Sequence, residues 1–572
     1  MGDPETALGA IGRAAMERGN LMAAQEACLG LGMWDEAVSL GYDLNVLFER
    51  SGHWADRRRA LERGIRAARE GGDENRAAEL SHNLGVAYQD IGKYGEARAR
   101  YEQALEVKRQ LDDRKGVATE LHQLGMVTQA QGDYAEARRL YQESLEIARA
   151  LGDRAGVASS VHQLGVLAQA RGDYAEARRL YEESLEIERA LGDRAGVAKT
   201  LHQLGVLAQD QGDYSEARRL YEESLEIEQA LGARVGVAYS LGQLGTLELV
   251  QGNLGRAREL YEQVRDISGQ MSDRASVARA LHQLGRVAQN QGDYTEARRL
   301  YEESLETEQA LGDRAGVAGS LLALGNVACL QGDYAEARRL YEESLKMARA
   351  LGSRARVAGS LQALGNVAYV HRDYAEARRL YEESLEIGRA VGDRAGVALS
   401  RWGLGSVAKS RGDYDEARKQ WKEGLGTFRE LGERKNEGGV LHQLGMLAQD
   451  EGDYVEARRL YEEALGIERG LGDRAGVATT LHNLGNVAYL QRYYAEARWL
   501  YEEALGIERA LGNRAGVAIS LHQLGMLAEE DGDLGEAERL FSESLGTFEA
   551  LHSPNADIAR RSLERVRERT TR

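Results

Sequence analysis

Proline and cysteine are almost absent from this sequence, since each occurs only twice in 572 residues. Few prolines mean few forced helix ends, so long helices are allowed nearly everywhere. Cys28 and Cys329 stand far apart, without a CxxC pattern or a Cys/His neighbourhood. This spacing argues against a disulfide framework and a structural zinc site, and it favours a reducing cytoplasm as the location.

Long apolar runs are also missing. No stretch approaches the roughly 18 consecutive apolar residues of a membrane-spanning helix, and the first residues do not begin a signal peptide. The formal net charge is -18, and the basic residues are interleaved with acidic ones instead of forming a stripe. Nonspecific nucleic-acid binding depends on such a stripe. We therefore expect a soluble cytoplasmic protein whose ligand is neither a membrane nor a nucleic acid.

Glycine is abundant by contrast, with 67 residues that recur at fixed places. From Ser81 onward the sequence restarts every 40 residues, and the last restart is at Leu521. Twelve such copies fill residues 81–560, and a worn copy at 41–80 keeps the same phase. A period of this length is typical of a solenoid of stacked structural repeats.

Each copy is predicted to form two helices separated by a Gly-Asp pair. In a representative copy, Gly172 can end the first helix in a left-handed conformation, and Asp173 can cap the second. Glu176 lies three residues beyond Asp173, which is the spacing of a capping box. Ala177 and Tyr181 then lie on one face of the second helix. The sequence thus predicts a chain of helical hairpins.

Three features do not vary among the copies. All twelve hold Leu-Gly in the first helix, Ala in the second helix and an aromatic residue four positions later (Leu84-Gly85, Ala97 and Tyr101 in the first copy; Leu524-Gly525, Ala537 and Phe541 in the last). Glycine within a helix costs about 1 kcal/mol relative to alanine. Its retention in every copy predicts that the two helices approach so closely that a side chain would not fit.

These residues resemble the tetratricopeptide repeat motif. The Leu-Gly pair, the Gly-Asp-Tyr-x-Glu-Ala segment and the following aromatic match it, while six extra residues lengthen the unit as in kinesin light chains and Pins-type proteins. The proline that usually follows the second helix is replaced by Leu-Gly-Asp-Arg. The resemblance implies an all-α, right-handed superhelical solenoid of about 12–13 hairpins, with a concave groove for a protein or peptide partner.

The ends of the chain differ from the repeats. Residues 5–40 suggest three shorter helices, and the tail from Ser553 suggests one polar helix with five arginines. Because solenoids need polar terminal caps, that helix is interpreted as a cap, and a binding role for its arginines is the alternative. The predicted organisation is an N-terminal cap at 1–40, a degenerate repeat at 41–80, twelve repeats at 81–560 and the end of a capping helix at 561–572.

No pattern of a catalytic or cofactor site occurs. The sequence holds no phosphate-binding loop, dinucleotide fingerprint, zinc-protease motif or nucleophile elbow. Asp and Glu recur at equivalent positions in nearly every copy, which is typical of exposed ion pairs and not of a unique catalytic site. We therefore expect a non-enzymatic protein without a cofactor.

Eight histidines share one register in the first helix: His82, His122, His162, His202, His282, His442, His482 and His522. Equivalent helices of a solenoid stack about 8–10 Å apart, which is too wide for two imidazoles to share a zinc ion with bonds of about 2.1 Å. The prediction is that these histidines line the inner face, are partly exposed and contribute hydrogen bonds or pH sensitivity.

The resemblance implies that the groove is lined by the first helices, at the position just before the His register, at the His register itself and at positions four, seven and eight residues later. Between 241 and 440 these rows become more apolar and aromatic than in the flanking copies, which is typical of a partner-binding strip. Neutral drift is the alternative. The predicted partner-binding residues are Tyr239, Leu249, Arg286, Asn290, Leu322, Asn326, Leu330, Asn366, Tyr369, Trp402, Lys409, His202, His282 and His442.

Three functions fit these observations. The first is a scaffold or sensor that holds a peptide or a helix of a partner protein in the groove. The second is the recognition arm of a STAND-class NTPase, as a fragment or a stand-alone relative, because the degenerate helices at 5–80 resemble the connecting arm of that class. The third is self-assembly through matching repeat ends. The copy at 401–440 diverges furthest and is interpreted as a bend or a docking point.

Overall fold

The computed structural model describes residues 17–571, and its regular structure in that range consists of 28 α-helices and no strands. The prediction of an all-α chain of helical hairpins is confirmed. The chain forms two compact units, which divide between Ser276 and Val277.

The first unit contains α1 to α13 and the start of α14. Their bounds are α1 Arg18–Gly30, α2 Trp34–Ser51, α3 Trp54–Glu70, α4 Glu74–Asp90, α5 Tyr94–Gln110, α6 Arg114–Ala130, α7 Tyr134–Leu151, α8 Arg154–Ala170, α9 Tyr174–Leu191, α10 Arg194–Asp210, α11 Tyr214–Leu231, α12 Arg234–Val250, α13 Leu254–Gln270 and α14 Arg274–Asn290.

The second unit contains the rest of α14 and all later helices. Their bounds are α15 Tyr294–Leu311, α16 Arg314–Leu330, α17 Tyr334–Ala350, α18 Arg354–Val370, α19 Tyr374–Val391, α20 Arg394–Ser410, α21 Tyr414–Leu431, α22 Arg434–Asp450, α23 Tyr454–Leu471, α24 Arg474–Leu490, α25 Tyr494–Leu511, α26 Arg514–Glu530, α27 Leu534–Ala550 and α28 Ala556–Thr570.

From α4 to α27 the even-numbered helices are the first helices of the copies and are called A helices; the odd-numbered ones are B helices. Within each unit, an A helix packs against its own B helix, and that B helix packs against the next A helix. Between residues 17 and 571 no helix is long and apolar enough to cross a bilayer.

The predicted stops and caps form the boundaries between helices. Asp173 accepts a hydrogen bond from the Glu176 amide at the start of α9, and Gly192 ends that helix with a left-handed φ of 70°. Asp193 caps α10 by accepting from the Gly196 amide at 3.0 Å. The short Gly-Asp connection therefore ends one helix and starts the next within two residues.

The invariant glycines lie directly against the aromatic rings of the B helices. In all twelve copies a Cβ atom at the Leu-Gly glycine would come within 3.0 Å of the ring, for example 2.8 Å from Tyr181 Cε1 at Gly165. The invariant alanines are fully buried beside them, from Ala97 to Ala537. Close approach of the two helices is thus the reason for all three invariant features, as the sequence predicted.

The two ends of the described chain differ from the repeats. At the N-terminal end the prediction of three short helices in residues 5–40 can be compared only from residue 17 onward, because residues 5–16 lie outside the described part. That range contains α1 and the start of α2, which continues to Ser51. At the C-terminal end Arg565 and Arg569 of α28 both reach Glu529 of α26, each at 2.7 Å. Val566, on the same helix, is fully buried. These contacts support the interpretation of α28 as a cap.

Candidate partner-binding face

Successive A helices of each unit touch one another through the rows predicted to line the groove. The Tyr369 hydroxyl lies 3.1 Å from the Ser410 hydroxyl, and Gln169 donates to Asp210 at 2.8 Å. Each pair is 41 residues apart, so the positions seven and eight residues after the His register of neighbouring copies lie side by side. These rows form a continuous surface on each unit, called the A-helix face.

The histidine row packs inside the repeats. In all eight copies the ring lies 5.1–5.6 Å, centroid to centroid, from the aromatic ring of its own B helix. On the other side it reaches the next A helix: His162 Nδ1 lies 2.9 Å from the Thr200 hydroxyl, and His442 Nδ1 lies 3.1 Å from that of Thr480. His162 and His442 therefore each join one B helix to the following A helix.

Burial also affects the titration of His202, His282 and His442. His202 is only 4% exposed, so the prediction that it offers its ring to a partner is wrong. Desolvation lowers the pKa of His202 and of His282 to about 4, and it also lowers the pKa of His442. The imidazoles of His202 and His282 therefore stay neutral at pH 5.5. Among residues 17–571 no cluster of three or more His, Cys, Asp or Glu side chains is placed to hold a metal ion.

Two further predicted residues are structural. Leu249 is 7% exposed and belongs to the core, so its prediction as a contact residue is wrong. Trp402 stands edge to face with Phe428 of α21, with ring centroids 6.5 Å apart, and a Cβ atom at Gly439 of α22 would come within 3.0 Å of it. The tryptophan fills the space that Gly439 leaves open, and it therefore packs between two repeats.

The copy at 401–440, which diverges furthest, carries further substitutions with packing or pairing contacts. Trp421 occupies the usual tyrosine position of the B helix, is fully buried and donates its indole N–H to the Trp402 carbonyl at 3.1 Å. Lys409 pairs with Asp450 of the next A helix at 3.0 Å. The divergent residues of this copy thus contact other parts of the same chain, including the next repeat.

The buried tyrosine hydroxyls place a constraint on the A-helix face. In six copies this hydroxyl donates at 2.9–3.2 Å to the glutamine seven residues after the His register: Gln89, Gln129, Gln169, Gln209, Gln289 and Gln449. Where the glutamine is replaced by Cys329 or Tyr369, the acceptor lies three residues earlier. Tyr341 donates to Asn326 at 2.8 Å, and Tyr381 donates to Asn366 at 2.7 Å.

The remaining copies follow the same rule. Where Leu249 replaces the glutamine, the Tyr261 hydroxyl lies 3.0 Å from that of Thr246, and where Tyr489 does, Tyr501 donates to Asn486 at 2.8 Å. The other two copies have Trp421 and Phe541 in place of the tyrosine and so lack its hydroxyl. No copy loses the glutamine without a matching change elsewhere.

The remaining predicted residues are accessible. Tyr239 is 60% exposed and lies over His202 with ring centroids 4.6 Å apart. Arg286 and Asn290 are exposed on α14. Leu322, Asn326, Leu330, Asn366 and Tyr369 are exposed or partly exposed, and all lie on α16 and α18 of the second unit.

The structure thus brings together one apolar surface within the second unit. It is called the apolar strip and consists of Leu322, Cys329, Leu330, Tyr369 and Val370. Leu330 and Val370 are 52% and 47% exposed. Asn326 and Asn366 are exposed on the same two helices and complete the surface with amide groups.

Sequence reasoning missed a second exposed group in the second unit. Val455 on α23 is 76% exposed, and Tyr493 and Trp499 at the start of α25 are 57% and 58% exposed. Tyr493 and Trp499 stand where most copies have aspartate and arginine, and Val455 stands where the other copies have a small or polar residue, most often alanine. The available signal was a departure from the repeat pattern in the B helix and just before it.

A scan against family models finds the same repeat along most of the chain. A model described as tetratricopeptide repeat matches residues 117–190, 196–270, 276–350, 356–430 and 437–510. A second model with the same description matches residues 78–111. Together they cover more than half of the 572 residues.

Comparisons with individual proteins provide less information about this chain than the family models do. The search of curated proteins finds no match. Among solved structures, one titled "Crystal structure of BtubC (BKLC) from P. vanneervenii" aligns with 23% sequence identity and a TM-score of 0.35. The alignment covers 38% of this chain and 91% of that one.

Proposed function

Because the chain belongs to the tetratricopeptide repeat family, whose repeats generally mediate protein–protein interaction, we propose that it is a non-enzymatic binding scaffold that holds a partner peptide or helix against the apolar strip. The observation that carries this proposal is the exposure of Leu330 and Val370 beside partly exposed Leu322 and Tyr369. Contiguous exposed apolar side chains with polar neighbours are typical of protein-binding surfaces.

The hydroxyl constraint argues against neutral drift as the origin of the strip. Replacing the glutamine by Cys329 or Tyr369 alone would leave a buried tyrosine hydroxyl without its acceptor, at a cost of about 1–3 kcal/mol. In both copies an asparagine three residues earlier accepts that hydrogen bond. An apolar residue at this position therefore needs two coordinated changes, which selection for the apolar surface would maintain.

The same hydrogen bonds orient the asparagines. Since Oδ1 of Asn326 and of Asn366 accepts from a buried tyrosine, the amide NH2 group of each side chain faces away from that contact. Two exposed donors thus lie on the helices that carry the apolar residues. A bound segment could place apolar side chains on Leu330 and Val370 and carbonyl oxygens on these amides.

The test compares the same type of substitution, an exposed apolar residue to glutamate, inside and outside the strip. Leu330→Glu combined with Val370→Glu places two carboxylates on the strip, while Leu490→Glu changes a residue of the same row that is 48% exposed in another copy. A partner captured by the wild-type chain is purified, and its affinity is measured for each variant by calorimetry. We expect the double variant to lose at least about tenfold in affinity and Leu490→Glu to lose little.

Helical circular dichroism and the melting temperature serve as folding controls. Equal affinity of the wild type and the double variant, with both folded, would reject the strip as the binding surface. Equal losses in the double variant and in Leu490→Glu would indicate a general charge effect and would also reject it.

The two alternative functions have separate tests. For self-assembly through the C-terminal end, the cap formed by α28 is an obstacle, because Arg565 and Arg569 already hold it against Glu529; light scattering over a concentration series detects any assembly. For a recognition arm of a STAND-class NTPase, the reading frame upstream of Met1 decides whether an ATPase core precedes the repeats.

A further inference from the structure

A pocket of about 440 Å³ opens beside the first A helices of the first unit. It lies among α2, α4, α5 and α6, well away from the apolar strip in sequence. Its charged and aromatic lining includes Tyr42, Glu79, His82, Lys108, Asp113 and Glu120.

The side chains of this pocket are unique to one copy. At the positions of Lys108 and Glu120, five other copies pair a buried glutamate with a hydroxyl, as Glu188 does with Thr200 at 3.1 Å. Only the copy at 81–120 carries a lysine and a glutamate at these two positions. The exchange places two opposite charges at positions where the other copies place at most one.

The lysine at this site has its hydrogen-bonding capacity in use. The Lys108 ammonium donates to Asn75 Oδ1 at 2.7 Å and lies 2.9 Å from Asp113 Oδ2. It is 4.0 Å from Glu79 Oε1. The hydrogen bond from the Gly116 amide and the contact with Lys108 lower the pKa of Asp113, which is therefore ionised at neutral pH. The Lys108 ammonium group is thus paired with Asp113 and Asn75 and not with Glu120.

The buried glutamate is left with one oxygen unpaired. Glu120 is 3% exposed, and its Oε1 lies 2.8 Å from His82 Nδ1. Its Oε2 has no hydrogen-bond partner. A buried carboxylate oxygen without a donor is costly, because the solvation that it lost is not replaced. Across the pocket, Glu79 already accepts from the Tyr42 hydroxyl at 2.7 Å.

The charges of the lining favour a cation. Three carboxylates, those of Glu79, Asp113 and Glu120, face the ammonium groups of Lys108 and the solvent-exposed Lys115. The first of these ammonium groups is occupied by internal acceptors, and the second extends into solvent. The remaining unmet requirement is a donor for Glu120.

We propose that this pocket binds a basic side chain, an alkylammonium or guanidinium group, of a protein segment docked on the A-helix face of the first unit. The cation pairs with Glu120 and, at the rim, with Glu79, while the Tyr42 and His82 rings border the alkyl stem. A small rotation of the Glu120 carboxylate presents Oε2 to the bound group. This site is independent of the apolar strip, because its residues belong to the other unit.

The experiment uses the full chain and two capped tripeptides, Ac-Gly-Lys-Gly-NH2 and Ac-Gly-Nle-Gly-NH2, in which norleucine keeps the stem and removes the charge. Binding is measured by NMR titration of the peptides at low salt. We expect the lysine peptide to bind at least about tenfold more tightly, since a charge-assisted hydrogen bond to a buried carboxylate exceeds a neutral contact by about this factor.

Substitutions then assign the effect to the pocket. Glu120→Gln keeps the shape and removes the charge, and it should reduce lysine-peptide affinity to that of the norleucine peptide. Glu188→Gln is the matched control, because it removes another buried carboxylate of the same unit, and it should leave the affinity unchanged. Glu79→Gln, at a partly exposed position, should weaken binding several-fold and decides the matter if Glu120→Gln does not fold.

Three results would overturn the proposal. They are equal binding of the two peptides, undiminished lysine-peptide binding by folded Glu120→Gln or by Glu79→Gln, and tighter binding of Ac-Gly-Glu-Gly-NH2 than of the lysine peptide. Leu330→Glu with Val370→Glu should not change any of these affinities, so failure of the strip and failure of the pocket are distinguishable.

Discussion

The same substitution, glycine to alanine, should have opposite effects at two positions of one repeat. Gly445 lies in α22, where an added Cβ atom would come 2.7 Å from Tyr461 Cε1. Gly466 lies inside α23, and no atom would come within 4 Å of its Cβ. Because both positions are interior to helices of the same copy, the intrinsic helix preference changes equally in the two variants.

The magnitudes follow from two competing terms. Alanine in a helix interior is better than glycine by about 1 kcal/mol, and at Gly466 this is the whole effect. At Gly445 the ring has no free direction: Tyr461 is fully buried, its ring lies 5.4 Å from that of His442, and its hydroxyl donates to Gln449 at 3.2 Å. Overpacking a core costs about 1–3 kcal/mol, so we expect a net loss of up to about 2 kcal/mol.

Urea unfolding followed by circular dichroism at 222 nm measures both variants against the wild type. Because repeat proteins need not unfold in one step, hydrogen exchange of the α22 and α23 amides gives a local measurement beside the global one. Gly466→Ala should raise the urea midpoint and slow exchange, while Gly445→Ala should do the reverse. A Gly445→Ala protein as stable as Gly466→Ala would refute close packing as the reason for the invariant glycine.

Two further predictions concern buried polar groups. Asn366→Leu should destabilise the chain by about 1 kcal/mol, because the Tyr381 hydroxyl loses its acceptor, and adding Tyr381→Phe should recover most of that loss in a double-mutant cycle; additive effects would contradict the pairing. Burial raises the pKa of Glu508 above its unfolded value. Ionised Glu508 therefore lowers the free energy of unfolding above the folded pKa, and this loss disappears as the pH falls to about 4.3, the unfolded pKa. Glu508→Gln should therefore stabilise at pH 7.5 and lose this advantage near pH 4, whereas exposed Glu502→Gln should show neither effect; a gain that does not depend on pH would contradict the assignment.

Much of the architecture was available from the sequence because the information is local and repeated twelve times. A Gly-Asp pair such as Gly172-Asp173 ends one helix and caps the next through contacts within a few residues. The recurring glycine opposite a recurring aromatic predicts close packing, and a Cβ atom at Gly165 would indeed come 2.8 Å from Tyr181 Cε1. The resemblance to tetratricopeptide repeats rested on the same residues and is confirmed by the family match.

Which variable residues are accessible depended on the tertiary structure. The sequence placed His202, Leu249 and Trp402 on the binding surface, and all three are packing residues. The position of a residue in the helical repeat indicates which way its side chain points. It does not indicate how closely the neighbouring copy approaches, because that distance depends on residues 37–41 positions away. Leu330 was predicted as a contact and is 52% exposed.

The division between sequence and structure has one physical origin. Helix formation, capping and the contact of each hairpin depend on interactions within about 20 residues, and a 40-residue period displays them directly. The acceptor of each tyrosine hydroxyl, the cover over each histidine and the unpaired oxygen of Glu120 depend on how a specific side chain meets the helices packed against it. Those contacts exist only once the repeats are stacked, and they determine which parts of the A-helix face are free to bind.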